Sequence, residues 1–208
     1  MNYKSYTLQK LNKSGKFNKI IDVCSGLLHN EIATDQLNYL NSRFSTESIQ
    51  KEYQFGYFPS FKNFDHIKEH KETLRDLKLF FEQTWGDLNP FNSIAGTCFF
   101  EQHNLIFPIK DDFGNVVGLS GRTILSEFEQ KNLKIDRYKN SFFVKGEILF
   151  GLHLAKEAIA TSGKVILVEG QFDAILCHSK GFYNVVSLAG PRLSDYQFYL
   201  LRKYAGSQ

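Results

Sequence analysis

Residues 148–208 alternate between short apolar runs and amphipathic stretches. Val165–Val168 is a continuous apolar run bounded by turn residues, which predicts a strand buried on both faces. The surrounding pattern predicts a helix carrying Leu149 to Ile159, a helix from Gln171 to about Lys180, a strand from Tyr183 to Leu188 and a helix from Ser194 to Tyr204. Strands and helices in this order predict a right-handed parallel α/β unit.

The middle of the chain has a helical pattern followed by a breaker. A charged amphipathic pattern over residues 60–86 predicts one helix that contains Phe80 and ends at Gly86. The next stretch, Leu88–Phe100, is predicted to be irregular because Asn89-Pro90 interrupts it.

A hairpin signal follows this irregular stretch. Leu105–Ile109 and Val116–Ser120 are predicted strands, and the polar segment between them supplies a turn. Gly114 lies in that turn, where a positive φ is needed. The two strands are therefore expected to pair.

The N-terminal third predicts two short helices after a polar leader. Thr34 or Asp35 can cap the first helix and Ser45 the second. Residues 1–33 are polar and basic without firm periodicity, which favours a partly ordered leader. The expected fold is α/β and has three parts: the leader 1–33, an α+β subdomain 34–147, and the first part of a parallel-sheet unit 148–208.

Composition adds little to this picture. The chain has 208 residues, 42% of them apolar, so it is long enough to bury a core. Its net charge of +3 is too weak for a whole-molecule field, so any nucleic-acid surface must come from local clusters of basic residues. Cys24, Cys98 and Cys177 have no paired spacing, and no signal peptide or membrane span is evident. We therefore expect reduced thiols in a cytoplasmic protein.

Two acidic residues follow the apolar run Val165–Val168. Glu169 stands at the carboxyl end of the predicted strand, where open α/β sheets bind ligands. Asp173 falls in the first turn of the next helix, so both carboxylates are expected to point at one spot and share a divalent cation. The alternative is a turn with a solvated acid.

Five segments in fixed order resemble the RNA-polymerase core of DnaG-type primases of bacteria and phages. The segments are Tyr39–Ser45 with Phe55–Pro59, Phe107–Arg122, Arg137–Ser141, Lys145-Gly146 with Leu149–Leu152, and Glu169–Asp173. The resemblance covers residues from about Thr34 to the C-terminus. It implies that residues 148–208 begin a TOPRIM domain, the fold that primases share with topoisomerases and some nucleases.

The resemblance also implies an activity, which is template-directed synthesis of short RNA primers with Mg²⁺ or Mn²⁺. Glu169 would be a metal ligand or general acid/base, and Asp173 a supporting ligand. Basic residues at four positions would bind template or nucleotide phosphates, namely Arg43, Arg122, Arg137 and Lys145. For Arg43 a solvated surface role is equally open, and Asn140 would bind a nucleotide or cap a turn.

The implied partners are single-stranded DNA template, ribonucleoside triphosphates and a replicative helicase, with no membrane. The family carries a zinc ribbon before the core, but Cys24 and His29 cannot supply four ligands, so no zinc is predicted. TOPRIM enzymes complete the metal site with an Asp-x-Asp pair, whereas the only acids after Glu169 are Asp173 and Asp195. We expect a truncated chain or a piece of a split gene, inactive alone.

Three other hypotheses remain. One is a TOPRIM nuclease or topoisomerase, and another is a non-catalytic module that binds single-stranded DNA or the replisome. The third is a metalloprotease, because His66–His70 matches the H-x-x-E-H pattern. Coincidence is favoured for this match, since no third ligand is evident.

Overall fold

The computed structural model describes residues 3–44, 47–83, 95–188 and 190–206. The helices are α1 (Tyr3–Leu27), α2 (Thr34–Arg43), α3 (Glu47–Glu52), α4 (Lys71–Asp76), α5 (Glu127–Leu133), α6 (Leu152–Ser162), α7 (Gln171–Ser179) and α8 (Asp195–Ala205). The strands are β1 (Gly56–Tyr57), β2 (Phe80–Gln83), β3 (Ala95–Cys98), β4 (Leu105–Lys110), β5 (Val116–Arg122), β6 (Tyr138–Asn140), β7 (Ile166–Val168) and β8 (Val185–Ser187). The predicted α/β class is confirmed, and Ser45, predicted as a helix cap, lies outside the described residues.

Helix α1 is part of the core, so the prediction of a partly ordered leader is wrong. Phe17, Ile20 and Cys24 are buried on the face that packs against β1 and β5. A Cβ on Gly56 would lie only 2.8 Å from the carbonyl carbon of Cys24, which shows how closely α1 approaches β1. The leader was misjudged because many polar residues on the exposed face hide a narrow apolar stripe. The boundary at residue 33 stays a prediction.

The central antiparallel sheet has the strand order β1-β4-β5-β6. The predicted hairpin is confirmed, since β4 pairs with β5 and Gly114 has a φ of +89° in the turn. β6 was not predicted; it pairs with the end of β5, placing Tyr138 opposite Arg122 and Asn140 opposite Ser120. This edge of the sheet carries several of the predicted site residues.

The single helix predicted over residues 60–86 is wrong. Of the described residues 60–83, only α4 forms a regular α-helix, and Lys78 with a φ of +57° turns the chain just after it. Phe80 then lies in β2, which pairs antiparallel with β3, so part of the stretch predicted to be irregular is a strand. The helical spacing of the apolar residues gave the wrong prediction, because pairing with the distant strand β3 makes this segment a strand. The predicted end at Gly86 lies outside the described residues.

The C-terminal unit contains the parallel pair β7–β8, joined through α7 as predicted. Ile166 is 46% and Leu167 41% exposed, so the prediction of a strand buried on both faces is wrong. Within the described part of the chain β7 pairs only with β8, which leaves one edge and part of its surface uncovered. An apolar run indicates that a strand can be buried. Whether the strand is buried depends on which other elements pack against it.

The β4–β5 turn connects both ends of the chain. Asp111 pairs with Lys10 of α1 at 2.9 Å, and the carboxylate of Asp112 accepts hydrogen bonds from Lys203 at 2.9 Å and Tyr204 at 2.8 Å on α8. Burial favours the neutral form of Asp112, but these bonds outweigh it and hold its pKa below the ordinary value. The turn therefore anchors α1 and α8 to the central sheet.

No described helix is both long and apolar enough to cross a bilayer.

Candidate functional site

Two adjoining cavities lie between the central sheet and the start of α7. The first, here called the arginine cavity, has a volume of about 430 Å³ and contains Arg43, Arg122, Arg137 and Asp173 in its lining. The second, here called the glutamate cavity, has a volume of about 510 Å³ and contains Asn140, Lys145 and Glu169 in its lining. Tyr138 and Gly170 line both cavities. All seven residues singled out from the sequence therefore line two neighbouring spaces.

Glu169 and Asp173 lie on either side of Gly170. The carbonyl of Glu169 accepts a hydrogen bond from Ser187 of β8 at 2.9 Å, which fixes the backbone where β7 ends, while the side chain is exposed. Asp173 lies in the first turn of α7, where the helix dipole stabilises a carboxylate. The two carboxylates line different, adjoining cavities, so their sharing of one cation stays a prediction.

The close approach of Asp173 to Gly170 predicts the effect of one substitution. Gly170 has φ −95° and ψ 143°, which alanine adopts freely, but a Cβ there would lie 2.5 Å from Oδ2 of Asp173. On the predicted metal-ligand role of Asp173, Gly170→Ala is expected to displace the carboxylate with little change in stability, and to weaken Mn²⁺ binding by about tenfold, equivalent to ~1.4 kcal/mol. Mn²⁺ titration followed by electron paramagnetic resonance measures this. Gly26→Ala, with open space around its Cβ, is the control; equal Mn²⁺ affinity in both variants would contradict the expectation.

Arg122 is the last residue of β5 and is only 9% exposed. Its Nε donates to the hydroxyl of Tyr39 at 2.9 Å, and its Nη1 donates to the hydroxyl of Tyr138. The guanidinium carbon lies 4.3 Å from the ring centroid of Phe172. Burial raises the pKa of Tyr138 despite the nearby guanidinium, so its hydroxyl stays protonated. Aromatic groups thus surround this cation.

The other two arginines of the arginine cavity are more exposed. Arg43 ends α2, and its guanidinium carbon lies 5.4 Å from the ring centroid of Tyr39. Arg137 forms a 2.6 Å ion pair with Glu127 and is half exposed. An exposed ion pair of this kind contributes at most about 1 kcal/mol, so a phosphate can compete with Glu127 for Arg137.

In the glutamate cavity, Asn140 and Lys145 are held by backbone structure. Asn140 ends β6, and its side-chain Oδ1 is buried without a hydrogen-bond partner among the described residues. A buried amide oxygen without a partner costs free energy, so a ligand N–H or O–H that reaches it gains a hydrogen bond. Lys145 is exposed, and the buried side chain of Gln197 donates to its carbonyl at 3.2 Å.

Tyr39, Tyr138 and Phe172 were missed as site residues. Each lies inside one of the five motif segments, but its aromatic character alone indicates only core packing. Their proximity to Arg122 depends on the packing of α2, β6 and α7 against one another, which no local pattern reveals.

The H-x-x-E-H match at His66–His70, for which coincidence was favoured, does not lie on one helix. His66 and His70 lie in separate 3₁₀ turns interrupted by Ile67, so they do not share one helical face. The residues that the structure describes contain no group of three or more histidines, cysteines or acids able to hold a metal. His178 packs in the core, where its Nε2–H donates to the carbonyl of Val185 and its Nδ1 accepts from the hydroxyl of Tyr53.

Comparison with known proteins gives a consistent result. The family described as DNA primase catalytic core, N-terminal domain, matches residues 24–156, which is more than half of the chain. The DNA primase of Aquifex aeolicus (strain VF5) is 35% identical over 210 residues, covering 97% of this chain and 39% of that protein.

Solved structures agree with this match. A crystal structure of the Aquifex aeolicus primase, with its zinc-binding and RNA polymerase domains, has a TM-score of 0.69 at 33% identity and covers 95% of this chain and 47% of its own. A structure of a DnaG primase catalytic domain bound to ssDNA has a TM-score of 0.72 at 22% identity, which shows the fold alone; it covers 96% of this chain and 62% of its own.

The chain spans 39% of the Aquifex aeolicus primase length, so it corresponds to part of such a protein. The resemblance to DnaG-type primases inferred from the five segments is confirmed by the family match and by the 35% identity. The chain belongs to the DNA primase family, and residues 24–156 are the N-terminal domain of its catalytic core.

Proposed function

We propose that this chain supplies the template- and nucleotide-binding part of a primase that makes short RNA primers on single-stranded DNA. The observation that carries the proposal is that seven polar residues from separate elements line two adjoining cavities at one edge of the central sheet. The arginine cavity would take backbone phosphates of template or triphosphate, because guanidinium groups bind phosphate oxygens in a bidentate manner.

The carboxylates are proposed to hold Mg²⁺ or Mn²⁺. Glu169 and Asp173 are hard oxygen ligands next to phosphate-binding cations, which fits these ions. Such ions, when bound, neutralise and align the reacting triphosphate. Two carboxylates do not complete a site, so further ligands would come from elsewhere in the primase.

The remaining residues of the glutamate cavity are proposed to position the nucleotide. Lys145 is exposed and bears the positive charge on this side, and the unpartnered Oδ1 of Asn140 can accept a hydrogen bond from the ribose or base. The Gln197 contact holds the backbone of Lys145 against the C-terminal unit, and Lys145 lines the same cavity as Glu169. On this proposal, the TOPRIM half begins at about residue 148 and a replicative helicase is the partner.

Single-stranded DNA binding tests the proposal. Arg43→Gln and Arg137→Gln are each expected to weaken binding of an oligo-dT probe several-fold, and to reduce the slope of log affinity against log salt by about 0.7 for each phosphate that is no longer neutralised. Fluorescence anisotropy over a salt series measures both quantities.

Arg202→Gln on the exposed face of α8 is the matched control and should change neither value. Wild-type affinity and slope in both test variants would contradict the role of this cavity. In a priming assay the chain alone should make no oligoribonucleotides, and metal-dependent products from it would contradict the incomplete metal site.

A further inference from the structure

Arg122 lies in an environment that is unusual for a cation, and its role as inferred below rests on the proposed function of the arginine cavity. Its side chain is almost fully buried, yet it forms no ion pair with any carboxylate of the described residues. Burying an unpaired cation is costly, so something else must compensate for its charge.

Three aromatic rings provide that compensation. The guanidinium carbon lies 4.3, 4.9 and 5.5 Å from the ring centroids of Phe172, Tyr138 and Tyr39. Ring faces attract a cation through their quadrupole without neutralising its charge. A carboxylate in the same place would attract the cation too, but it would compete with an incoming phosphate.

The two tyrosine hydroxyls fix the orientation of the guanidinium. An arginine has five N–H donors, and here Nε is bonded to Tyr39 and Nη1 to Tyr138. The remaining three N–H groups have no acceptor among the described residues, and Arg122 lines the arginine cavity. The planar group is therefore held by two hydroxyls while its free donors remain for a ligand.

The aromatic cage of Tyr39, Tyr138 and Phe172 also joins the parts of the site. Phe172 lies between Glu169 and Asp173 in sequence, and its ring contacts those of Tyr39 and Tyr138 with centroids 6.4 and 6.1 Å away. Tyr39 belongs to α2, so one cluster links α2, the edge of the central sheet and the start of α7. Movement of any of these elements would rotate the cation relative to the acids.

We propose that Tyr39, Tyr138 and Phe172 are positioning residues that hold the Arg122 guanidinium ready for a phosphate oxyanion, with the two tyrosine hydroxyls setting its orientation. The residues act through Arg122 and need no contact with the ligand. The phosphate belongs to single-stranded nucleic acid or to a nucleoside triphosphate, and two probes distinguish these sources.

Tyr39→Phe tests the proposal because it removes only the hydroxyl and keeps the ring. Binding of oligo-dT and of inorganic triphosphate is measured for this variant, for Arg122→Gln and for Tyr196→Phe, an exposed tyrosine of α8 that serves as the control. Tyr39→Phe is expected to weaken binding by about tenfold, which is typical of losing a hydrogen bond to a charged group. The probe affected, oligo-dT or inorganic triphosphate, identifies the source of the phosphate. The salt slope for oligo-dT should stay unchanged, because no charge is removed.

Arg122→Gln should weaken binding further and lower the oligo-dT slope by about 0.7. In the Arg122→Gln background, adding Tyr39→Phe should have no further effect, since the two residues act as a unit. Thermal unfolding of each variant separates these effects from a failure to fold, and Tyr138→Phe, which removes the other hydroxyl, repeats the test should Tyr39→Phe fail to fold.

The outcomes separate two failures. Weak binding by Arg122→Gln with wild-type binding by both tyrosine variants would overturn the positioning role and leave the proposed function standing. Wild-type binding of both probes by Arg122→Gln would overturn the phosphate role of Arg122 itself, and the inference with it. Equal losses from Tyr39→Phe in the presence and absence of Arg122 would also overturn it, because the hydroxyl would then act independently.

Discussion

Gly121→Ala is expected to destabilise the protein by about 3 kcal/mol, near the upper end for overpacking of a core. A Cβ at this position of β5 would lie 2.4 Å from Cδ1 of Phe100 and 2.5 Å from the carbonyl oxygen of His103. The ring can rotate only into a filled core, and the carbonyl is backbone, so the strand itself must shift. Urea or thermal unfolding measures the change, expected as a fall in melting temperature of roughly 10 °C.

The control substitution for this prediction is expected to raise, not lower, the free energy of unfolding. Gly15 lies within α1 and has open space where a Cβ would be. Gly15→Ala should therefore stabilise the protein by up to about 1 kcal/mol, because alanine has the higher helix propensity. Since Arg122 follows Gly121 directly, Gly121→Ala should also weaken the phosphate binding proposed for Arg122. An unchanged melting temperature would contradict the predicted loss of stability.

Acidification from about pH 7 to about pH 4 is expected to lower the free energy of unfolding by about 3 kcal/mol through His153 alone. Burial, together with the charges of Lys110, His178 and Lys156, lowers the pKa of His153 to about 4. Its Nδ1 is buried without a hydrogen-bond partner among the described residues, so a proton there gains nothing. The folded state therefore keeps His153 neutral, while the unfolded chain takes up a proton near pH 6.5.

The direction of the change in the free energy of unfolding follows from the number of protons bound to the folded and unfolded states. The contribution of neutral His153 to the free energy of unfolding is present above about pH 6.5. It is lost as the pH falls towards about 4, because the unfolded state binds more protons than the folded state in this range. His103 and His178 contribute in the same direction, since burial lowers the pKa of each. Urea denaturation at several pH values measures the slope.

His153→Gln should flatten this slope. A slope in the His153→Gln variant as steep as in the wild type would show that other groups cause the acid sensitivity. The carboxylate of Asp112, whose pKa lies below its ordinary value of 3.8, adds a loss of stability in the same direction near the acid end of this range. The test is therefore the difference in slope between the wild type and His153→Gln, in which this contribution cancels.

Local patterns predicted the elements whose signals are short-range. The β4–β5 hairpin needed a glycine at positive φ between two apolar runs, and Gly114 supplies it. The start of α8 near Ser194 and the order β7, α7, β8 were also predicted, because short apolar runs and helical patterns depend on residues close along the chain. For the same reason the position of Glu169 at the end of β7 followed directly from the chain.

Patterns failed where distant contacts decide the outcome. Phe80 satisfies a helical pattern, but pairing with Cys98 of β3 makes it part of a strand. Helix α1 was predicted to be a leader because its many polar and basic residues hide the apolar positions, and only the structure shows that those positions are buried against β5. Ile166 and Leu167 looked fully buried, yet only packing partners can cover a strand.

By itself, the sequence determined the parallel β–α–β unit, the carboxylates Glu169 and Asp173 after its first strand, and the resemblance to primases. Residues close along the chain decide these features. Only the tertiary structure decided that Tyr39, Arg122 and Phe172, from three separate elements, meet beside those carboxylates. Arg122, which has no carboxylate partner among the described residues, is stabilised there by aromatic rings from residues distant along the chain. Contacts between residues so far apart in sequence produce no periodic pattern that could predict them.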